Sequence, residues 1–346
     1  MKYWKTITIS IIAAAVVMSV LASVAFNRFM DSPAAIDDNG ISFEIAPGSS
    51  FTAVSKNLAN EGIISHAAWL RWYARYTGDA SKIHAGQYRL AAGDTPAEIL
   101  QRFVSGQVEL YSFTIVEGWN YRELLTAMSA SEVIESSIVF EDWPAVLESF
   151  GDAHQHPEGL FLPETYRFPK HTKDIDVLRQ AHELMQKTLD EEWQNRAENL
   201  PIANPYETLV LASIIEKETA RADERSKISG VFVRRLQNRM RLQTDPTVIY
   251  GIGLDYDGNI TRKHLRTDTP YNTYTRHGLP PTPIAMPGKA AIHAALHPEP
   301  GKELFFVATG LGDGSHKFSE TKAEHDNAVR EYLARLRANR NKAQGT

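Results

Sequence analysis

Near its start the chain has one long, predominantly apolar run at positions 7–26, which contains no charged side chain. As a helix rising 1.5 Å per residue, a run of this length spans about 30 Å, the thickness of the hydrocarbon core of a bilayer. Lys2 and Lys5 precede the run, and Arg28 follows it. The balance of basic residues predicts a cytoplasmic tail at 1–6 and a single transmembrane helix at 7–26.

A cleaved signal peptide is the alternative interpretation of this segment. Ser23-Val24-Ala25 has the small residues that a cleavage site requires. The apolar part of a signal peptide has about 7–15 residues, so the greater length favours an uncleaved anchor. Either way, we expect the rest of the chain to lie outside the cytoplasm. Residues 27–40 are polar and predict a short linker.

A pattern that follows the linker occurs three times: a β-like run, a glycine turn and then the start of a helix. The turns lie at Gly48, Gly93 and Gly118, and residues typical of helix N-caps follow each of them. Pro96 suits the first turn of the second helix. The pattern predicts a small α+β domain at 41–112.

An aromatic-rich helix, SHAAWLRWYARYTG, is predicted between the first two repeats. Its Trp69, Trp72 and Tyr73 are spaced i, i+3 and i+4 and therefore share one face. On spacing alone, a stripe packed into the core is favoured over a platform for binding sugars.

The remaining sequence, 113–346, predicts a mixed α+β domain. Helical periodicity covers 173–198 and 206–240, with a break near 220–223, and Pro and Gly recur from 244 to 300. The segment LPETYRFP (162–169) is bracketed by prolines and is not expected to be regular helix. A strand is predicted at 303–310. The last helix, 321–337, starts with a capping box formed by Thr321 and Glu324.

Composition excludes several classes of protein. The chain has 346 residues, of which 43% are apolar and 23% charged, as is ordinary for a folded protein. The 37 basic and 42 acidic residues give a net charge of −5, which argues against nucleic acid as a partner. There is no cysteine, so thiol catalysis, thiolate metal sites and disulfides are excluded.

The clearest candidate for chemistry is a pair of glutamates that ends an apolar helix, in LASIIEKETA. Glu216 and Glu218 are two residues apart, so on a helix they point about 200° away from each other. Glu218 continues the stripe of Leu211, Ile214 and Ile215. Burial against such a surface raises the pKa of a carboxyl, which makes Glu218 the better general-acid candidate. The alternative is a surface ion pair between Glu218 and Arg221.

Further polar residues follow this helix. Asp245 precedes a proline and is predicted to be a loop carboxylate, suited either to capping a turn or to binding a hydroxyl. Tyr271, Asn272 and Tyr274 precede a proline-rich loop; they suit sugar hydroxyls and N-acetyl groups, or equally the loop's own backbone.

A metal centre and the commonest cofactor sites are not expected. His293 and His297 have the i, i+4 spacing of zinc ligands, but no glutamate follows the first histidine, so the metalloprotease pattern fails. Glycine-rich phosphate loops, nucleophile elbows and calcium loops are absent from the sequence. We therefore expect neither a metal nor another cofactor.

Several long motifs, in their order along the chain, resemble those of the membrane-anchored endolytic murein (peptidoglycan) transglycosylases of bacteria. They are LPETYRFP, LASIIEKETA, RLQTDPTVIYG, YNTYTRHGLPPTPIAMPG and HKFSETKAEHDNAV. The resemblance covers nearly the whole chain. One departure is Thr282, where the family's loop is expected to have glycine, and another is the rather long turn GLGDGSHKF.

The resemblance implies a LysM-like domain at 41–112 and a catalytic domain at 113–346, in which a helix carries the catalytic acid, Glu218. Gln243, Asp245, Tyr271 and Asn272 lie in the strongest motifs and are expected to contact substrate. The implied substrate is the peptidoglycan glycan strand, cut at the MurNAc–GlcNAc β-1,4 bond to leave a 1,6-anhydro end. The implied location is the cell inner membrane, with the catalytic domain in the periplasm or facing the wall. We expect such an enzyme to lie near peptidoglycan synthases and division proteins.

Two other classes of function remain open at this stage. A membrane-tethered scaffold that binds peptidoglycan without cutting it would have no need of an acid on an apolar face. A glycan hydrolase would need a second carboxylate across the cleft from Glu218, such as Glu164 or Asp245.

Overall fold

The structure is a computed structural model that describes residues 2–344, and it divides into two compact units of mixed α+β composition. The first comprises the chain up to Tyr111 together with Arg167–His171; the second comprises Ser112–Tyr166 and the chain from Thr172 onward. Met1 of the predicted tail at 1–6, and Gly345 and Thr346 of the predicted catalytic domain, lie outside the described residues.

The first helix, α1 (Lys2–Asp31), is longer than the predicted transmembrane segment. It is the one helix among the described residues that is long and apolar enough to cross a membrane, a property that signal sequences share. The predicted linker at 27–40 is wrong for residues 27–31, which are helical. The helix continues because its apolar residues find partners there: Phe26 and Phe29 pack against the core of the first unit, and Met30 is buried in it.

The remaining linker is held against the first unit by its backbone. The N–H of Ala34 donates to the carbonyl of Asp94 over 2.8 Å, and that of Ala35 to the carbonyl of Ile63 over 3.0 Å. The segment between α1 and the first strand is therefore hydrogen-bonded rather than a free tether.

The first unit contains a small antiparallel sheet and three further helices. Its elements after α1 are β1 (Ile41–Ile45), α2 (Phe51–Asn60), α3 (Ala67–Tyr76), β2 (Gly86–Leu90), α4 (Pro96–Ser105) and the beginning of β3 (Leu110–Thr114). Strands β1 and β2 pair antiparallel, with Phe43 opposite Tyr88. These two rings and Phe103 of α4 are among the largest fully buried side chains.

The repeated strand–glycine–helix pattern is confirmed in this unit. Gly48 and Gly93 have φ of 77° and 92°, a conformation that a side chain would strain. Ser50 caps α2, and Thr95 forms a capping box at the start of α4.

The predicted core stripe of α3 is wrong in part. The helix buries Leu70 and Ala74, whereas Trp72 is 58% exposed. Trp69 and Tyr73 are half-buried. Tyr73 packs against the core, as the stripe predicts, whereas Trp72 lies on the exposed side of the helix.

The second unit is mostly helical, with short two-stranded sheets. Its elements are the end of β3, α5 (Tyr121–Ser129), β4 (Ile134–Glu135), α6 (Trp143–Phe150), β5 (Thr165–Pro169, which ends in the first unit), β6 (Thr172–Lys173), α7 (Asp174–Gln194), α8 (Pro205–Glu218), α9 (Arg225–Gln237), α10 (Asp245–Ile252), α11 (Arg262–Arg266), α12 (Lys289–Leu296), β7 (Phe305–Ala308), β8 (His316–Ser319) and α13 (Lys322–Gln344). The sheets are β3–β5, β4–β6 and β7–β8.

Helix α8 lies at the centre of this unit, in contact with α7, α9, α10 and α12. Every residue from Thr208 to Ile215 is buried. The helix is capped by Asn204, whose side chain accepts from the N–H of Glu207 over 3.0 Å. The predicted helices in this region and the break between α8 and α9 are confirmed, as are the non-helical LPETYRFP segment, the strand β7 and the Thr321–Glu324 capping box of α13.

Candidate active site

Glu218 is the last residue of α8, at the point where the buried helix meets a cleft. The stripe that it continues, Leu211, Ile214 and Ile215, is fully buried. Thr219, which follows, is extended and ends the helix. Glu218 itself is half-buried, so its carboxyl combines apolar surroundings with access to the cleft.

The second glutamate of the pair faces other partners, as the spacing predicts. Glu216 accepts a hydrogen bond from the N–H of Gly288 over 3.0 Å and lies 3.5 Å from the guanidinium of Arg225. The predicted alternative for Glu218, an ion pair with Arg221, is not found; Arg221 pairs with Asp223 at 2.7 Å instead. The carboxyl of Glu218 is thus left facing the cleft.

One hydroxyl fixes the carboxyl of Glu218. The Oγ1 of Thr244 donates a hydrogen bond to Oε1 of Glu218. Thr244 is buried, and its own N–H donates to Oγ1 of Thr273 over 3.1 Å. Since the donor is held in turn by a buried neighbour, the carboxyl has a defined orientation.

Burial is the main cause that raises the pKa of Glu218 above its ordinary value. The nearby Asp245 carboxylate acts in the same direction, whereas the Thr244 hydroxyl, His316 and Arg235 lower the pKa; the net shift is upward. The negative end of the α8 dipole also disfavours a carboxylate at this position. Glu218 therefore keeps its proton to a higher pH than an ordinary glutamate.

The cleft in front of Glu218 has a volume of about 520 Å³ and is lined by two kinds of residue. Some of its lining residues are apolar or aromatic, and the others supply hydroxyl, amide and charged groups. The lining residues are Glu218, Phe232, Arg235, Leu242, Gln243, Thr244, Asp245, Tyr274, Phe305, Phe306, Val307, Ala308, His316, Lys322, His325 and Tyr332. Sugars present both apolar ring faces and hydroxyls, so this combination suits a glycan.

Two of the predicted contact residues, Gln243 and Asp245, line this cleft with Glu218. The prediction that Asp245 is a loop residue is wrong. Asp245 is the first residue of α10, because Pro246 suits the first turn of a helix. Its carboxylate accepts a hydrogen bond from the hydroxyl of Tyr274 over 2.6 Å. Gln243 has φ of 53°, which is uncommon for a residue with a side chain.

The other two predicted contacts do not line the cleft. Asn272 is buried, and its amide nitrogen donates to the carbonyls of His264, Leu265 and Thr267. Its oxygen accepts from the N–H of Tyr274 over 2.9 Å. Holding the loop's own backbone, the alternative left open by the sequence, is the arrangement found.

Tyr271 is hydrogen-bonded to Thr282, the residue that departs from the expected motif. Its hydroxyl lies 2.9 Å from Oγ1 of Thr282, and its ring packs against Tyr250. The hydroxyl at position 282, which glycine would lack, thus joins two parts of the segment between α11 and α12.

Sequence reasoning missed Thr244, Arg235 and His316. Arg235 is buried, and its guanidinium donates to the carbonyls of Leu304 and Leu242, each over 2.6 Å. His316 is bonded to Glu224 over 2.7 Å. An arginine in a helix usually signals a solvated face, so only the apolar residues beside Arg235 hinted at its burial.

Among the described residues, one group has the donors for a metal ion, and it lies away from the cleft. Glu192, His293 and His297 bring ligand atoms within 4.8 Å of one another. Nδ1 of His293 lies 2.8 Å from Glu192, and Nε2 of His297 lies 2.9 Å from the carbonyl of Asn195. Nδ1 of His293 and both ring nitrogens of His297 thus already have partners, and none of the three residues lines the cleft.

Comparisons with known proteins agree on one family. A family model described as the YceG-like family matches residues 43–331. A protein of Bacillus subtilis named endolytic murein transglycosylase is 31% identical, and the match covers 85% of each chain. A protein of the same name from Streptococcus pneumoniae is 25% identical; the match covers 95% of this chain but 65% of the relative.

A solved structure gives the same result for the fold. The crystal structure of a yceG-like protein from Listeria monocytogenes aligns with a TM-score of 0.53 and 28% identity. The alignment covers 84% of this chain and 99% of that one.

Proposed function

The chain belongs to the YceG-like family, and from this premise we propose that it is an endolytic murein transglycosylase in which Glu218 is the acid that cuts the glycan strand. The bond cut is the MurNAc–GlcNAc β-1,4 linkage of peptidoglycan, and the product carries a 1,6-anhydro-MurNAc end. The observation that carries the role of Glu218 is its position: a carboxyl with a raised pKa faces a cleft of glycan size from the end of a buried helix.

One carboxyl suffices for this reaction because the nucleophile belongs to the substrate. Glu218 gives its proton to the glycosidic oxygen as the bond to C1 breaks. The C6 hydroxyl of the same sugar then bonds to C1, and its proton passes to the Glu218 carboxylate. Proximity within the sugar replaces the water, and the base to activate it, that a hydrolase needs. The proton count balances, and Glu218 ends in its starting state.

Gln243 and Asp245 are the proposed substrate contacts in the cleft. The amide of Gln243 can donate to and accept from sugar hydroxyls or an N-acetyl group. Asp245 accepts from Tyr274 and has further acceptor capacity for a hydroxyl. Tyr271 and Asn272 would act on substrate only indirectly, by holding the loop that carries Tyr274.

The N-terminal helix is proposed to be an uncleaved anchor in the inner membrane, with the chain that follows it in the periplasm or facing the wall. Support comes from the 20-residue apolar run at 7–26, which exceeds the length of a signal-peptide core, and from the basic residues that precede it. The first unit is proposed to be LysM-like. A mature chain with its N-terminus near Phe26, measured by intact mass, would contradict the anchor.

The protein partners proposed for an anchored enzyme of this kind are peptidoglycan synthases and division proteins, which act on the same strands. The resemblance supports this proposal, and no residue of the chain is assigned to such a contact.

A hydrolase is the second candidate, because Asp245 lines the same cleft as Glu218. Glu164, the other carboxylate that the sequence offered, is exposed and bonded to the N–H of Thr165, and it does not line the cleft. If Asp245 activated water, the products would gain one water for each bond cut.

The test is the mass of the products from purified glycan strands. Transglycosylation gives fragments whose masses sum to that of the strand, with an anhydro end. Hydrolysis gives fragments with one added water, and that result would overturn the proposal. Fragments from within the strand, rather than disaccharides released from its ends, would support endolytic cleavage.

A further inference from the structure

Helix α3 has an aromatic face that the core of the first unit covers only at Tyr73. Trp69, Trp72, Tyr73 and Tyr76 are spaced i, i+3, i+4 and i+7, so they lie on one side of the helix. Trp72 is 58% exposed and Tyr76 is 79% exposed, and their rings stack with centroids 5.5 Å apart. We call these four residues the aromatic face of α3.

This face lies beside the end of the apolar part of α1. The ring of Phe26 lies 5.4 Å from that of Trp72, 6.0 Å from that of Trp69 and 6.2 Å from that of Tyr73. Phe26 is the last residue of the apolar run, and Asn27 and Arg28 follow it. If that run crosses the bilayer, Phe26 lies at the boundary between hydrocarbon and headgroups, and the aromatic face lies at the same depth.

The charges around the face suit phosphate headgroups. Helix α3 carries Arg71 and Arg75 and no acidic residue, and Arg28 is exposed at the end of α1. Arginine binds phosphate through charge-assisted hydrogen bonds, and its aliphatic stem lies along apolar surface. Trp and Tyr are the residues enriched at membrane interfaces, where one end of the ring is apolar and the other polar.

We propose that the aromatic face of α3 inserts into the headgroup layer of the membrane that α1 spans, as a second membrane contact of the first unit. The proposal rests on α1 being an anchor and not on the cleavage reaction. Because residues 32–40 are hydrogen-bonded to the same unit, the two contacts together would hold this unit at the membrane surface in one orientation.

A glycan strand is the other occupant that such rings could bind. The membrane is favoured because the rings contact the apolar end of α1, so a strand on this face would lie at the bilayer surface among headgroups. The two occupants give different results in one experiment.

The absence of cysteine from the chain makes the experiment direct. Tyr76→Cys introduces a single thiol for a nitroxide label, in the full chain reconstituted into vesicles of phosphatidylcholine and phosphatidylglycerol. Val16→Cys, in the middle of the apolar run, is the control for insertion of the anchor. The accessibility of each label to oxygen, which concentrates in lipid, is compared with its accessibility to a water-soluble nickel complex.

The proposal predicts that both labels are more accessible to oxygen than to nickel. It also predicts that adding Trp72→Ser to the Tyr76→Cys chain shifts that label toward water. A lipid-like label at position 16 with a water-exposed label at position 76 would overturn the proposal and leave the anchor standing. A water-exposed label at position 16 would overturn both. A label at position 76 that glycan strands immobilise and lipid does not touch would show the face to be a glycan platform.

Discussion

At the scale of single residues, the central feature is a carboxyl under opposing influences. Burial and Asp245 raise the pKa of Glu218, and the Thr244 hydroxyl, His316 and Arg235 lower it. The balance leaves the pKa raised, which suits a group that must first give a proton and then take one back. A fully stabilised carboxylate would make a poor acid, and an isolated buried carboxyl would make a poor base.

The pH dependence of cleavage follows from this balance. In the proposed mechanism protonated Glu218 is the active form, so kcat/KM should fall as the pH rises through the raised pKa, above the value of about 4.3 for an ordinary glutamate. Asp245→Asn removes a neighbouring negative charge, which lowers the pKa of Glu218 and should move this alkaline limb to lower pH. The measurement is a pH–rate profile of both chains; a limb that stays in place or moves upward contradicts the electrostatic account.

A second prediction concerns Asn272, whose side chain holds the backbone around it through hydrogen bonds. Asn272→Ala leaves three carbonyls and the N–H of Tyr274 without their partner, at a cost of about 1–3 kcal/mol in unfolding free energy. Tyr271→Phe, which loses one hydroxyl contact on the neighbouring residue, is the control and should cost less. Denaturant unfolding measures both, and equal stability of Asn272→Ala and the wild type would return Asn272 to the list of substrate contacts.

Local pattern explains which site residues the sequence could predict. Glu218 is found because it continues an apolar stripe on its own helix, and its distance from Glu216 follows from helix geometry alone. Thr244 is 26 residues from Glu218, and no local pattern links them. Arg235 is buried through carbonyls of two other segments, so its role depends on tertiary contacts. For Asn272 the residue type fitted two roles, and only packing separated them.

At the scale of elements, α10 connects the cleft to a buried carboxyl. The helix begins at Asp245, and its Tyr250 donates a hydrogen bond to Glu158 over 2.9 Å. Glu158 also accepts from the N–H of Tyr121 over 3.0 Å, at the start of α5. One buried carboxyl thus ties the helix that carries Asp245 to the helix α5.

This carboxyl makes a prediction about stability and pH. Burial raises the pKa of Glu158 to about 8 in the folded chain, against about 4.3 when unfolded. Between these values the folded state binds more protons, so its stability falls as the pH rises and is lowest above about 8. Glu158→Gln cannot ionise, so its stability relative to the wild type should improve from pH 4 to pH 9. Thermal unfolding across this range tests the prediction, and a constant difference contradicts it.

The sequence predicts elements with strong local signals correctly, but it predicts where some helices begin and end less accurately. The turns at Gly48 and Gly93 and the caps at Ser50 and Thr95 are signals carried by one or two residues. The sequence predicts the end of α1 too early, because polar Asn27 and Arg28 interrupt the apolar pattern. Phe29 and Met30 extend the helix through contacts with the first unit's core, which the local pattern does not show. The start of α10 at Asp245 was missed because a residue before proline is usually extended.

At the scale of the whole molecule, each unit has its own core, and no cysteine is present to staple either one. Folding therefore depends on packing, and the proposed chemistry depends on one carboxyl. The average composition of the chain combines an apolar N-terminal helix with a more polar remainder. The family assignment supports this reaction, and the proposed role of Glu218 rests on its position at the cleft.

The most direct test of the central claim compares Glu218→Gln with Glu216→Gln, the same substitution two residues earlier on the same helix. A cooperative thermal unfolding transition like that of the wild type first shows that both variants are folded. Each is then incubated with purified glycan strands, and the 1,6-anhydro ends are counted by mass spectrometry. We predict that Glu218→Gln makes no anhydro ends while Glu216→Gln still makes them. Anhydro ends from a folded Glu218→Gln chain would contradict the account.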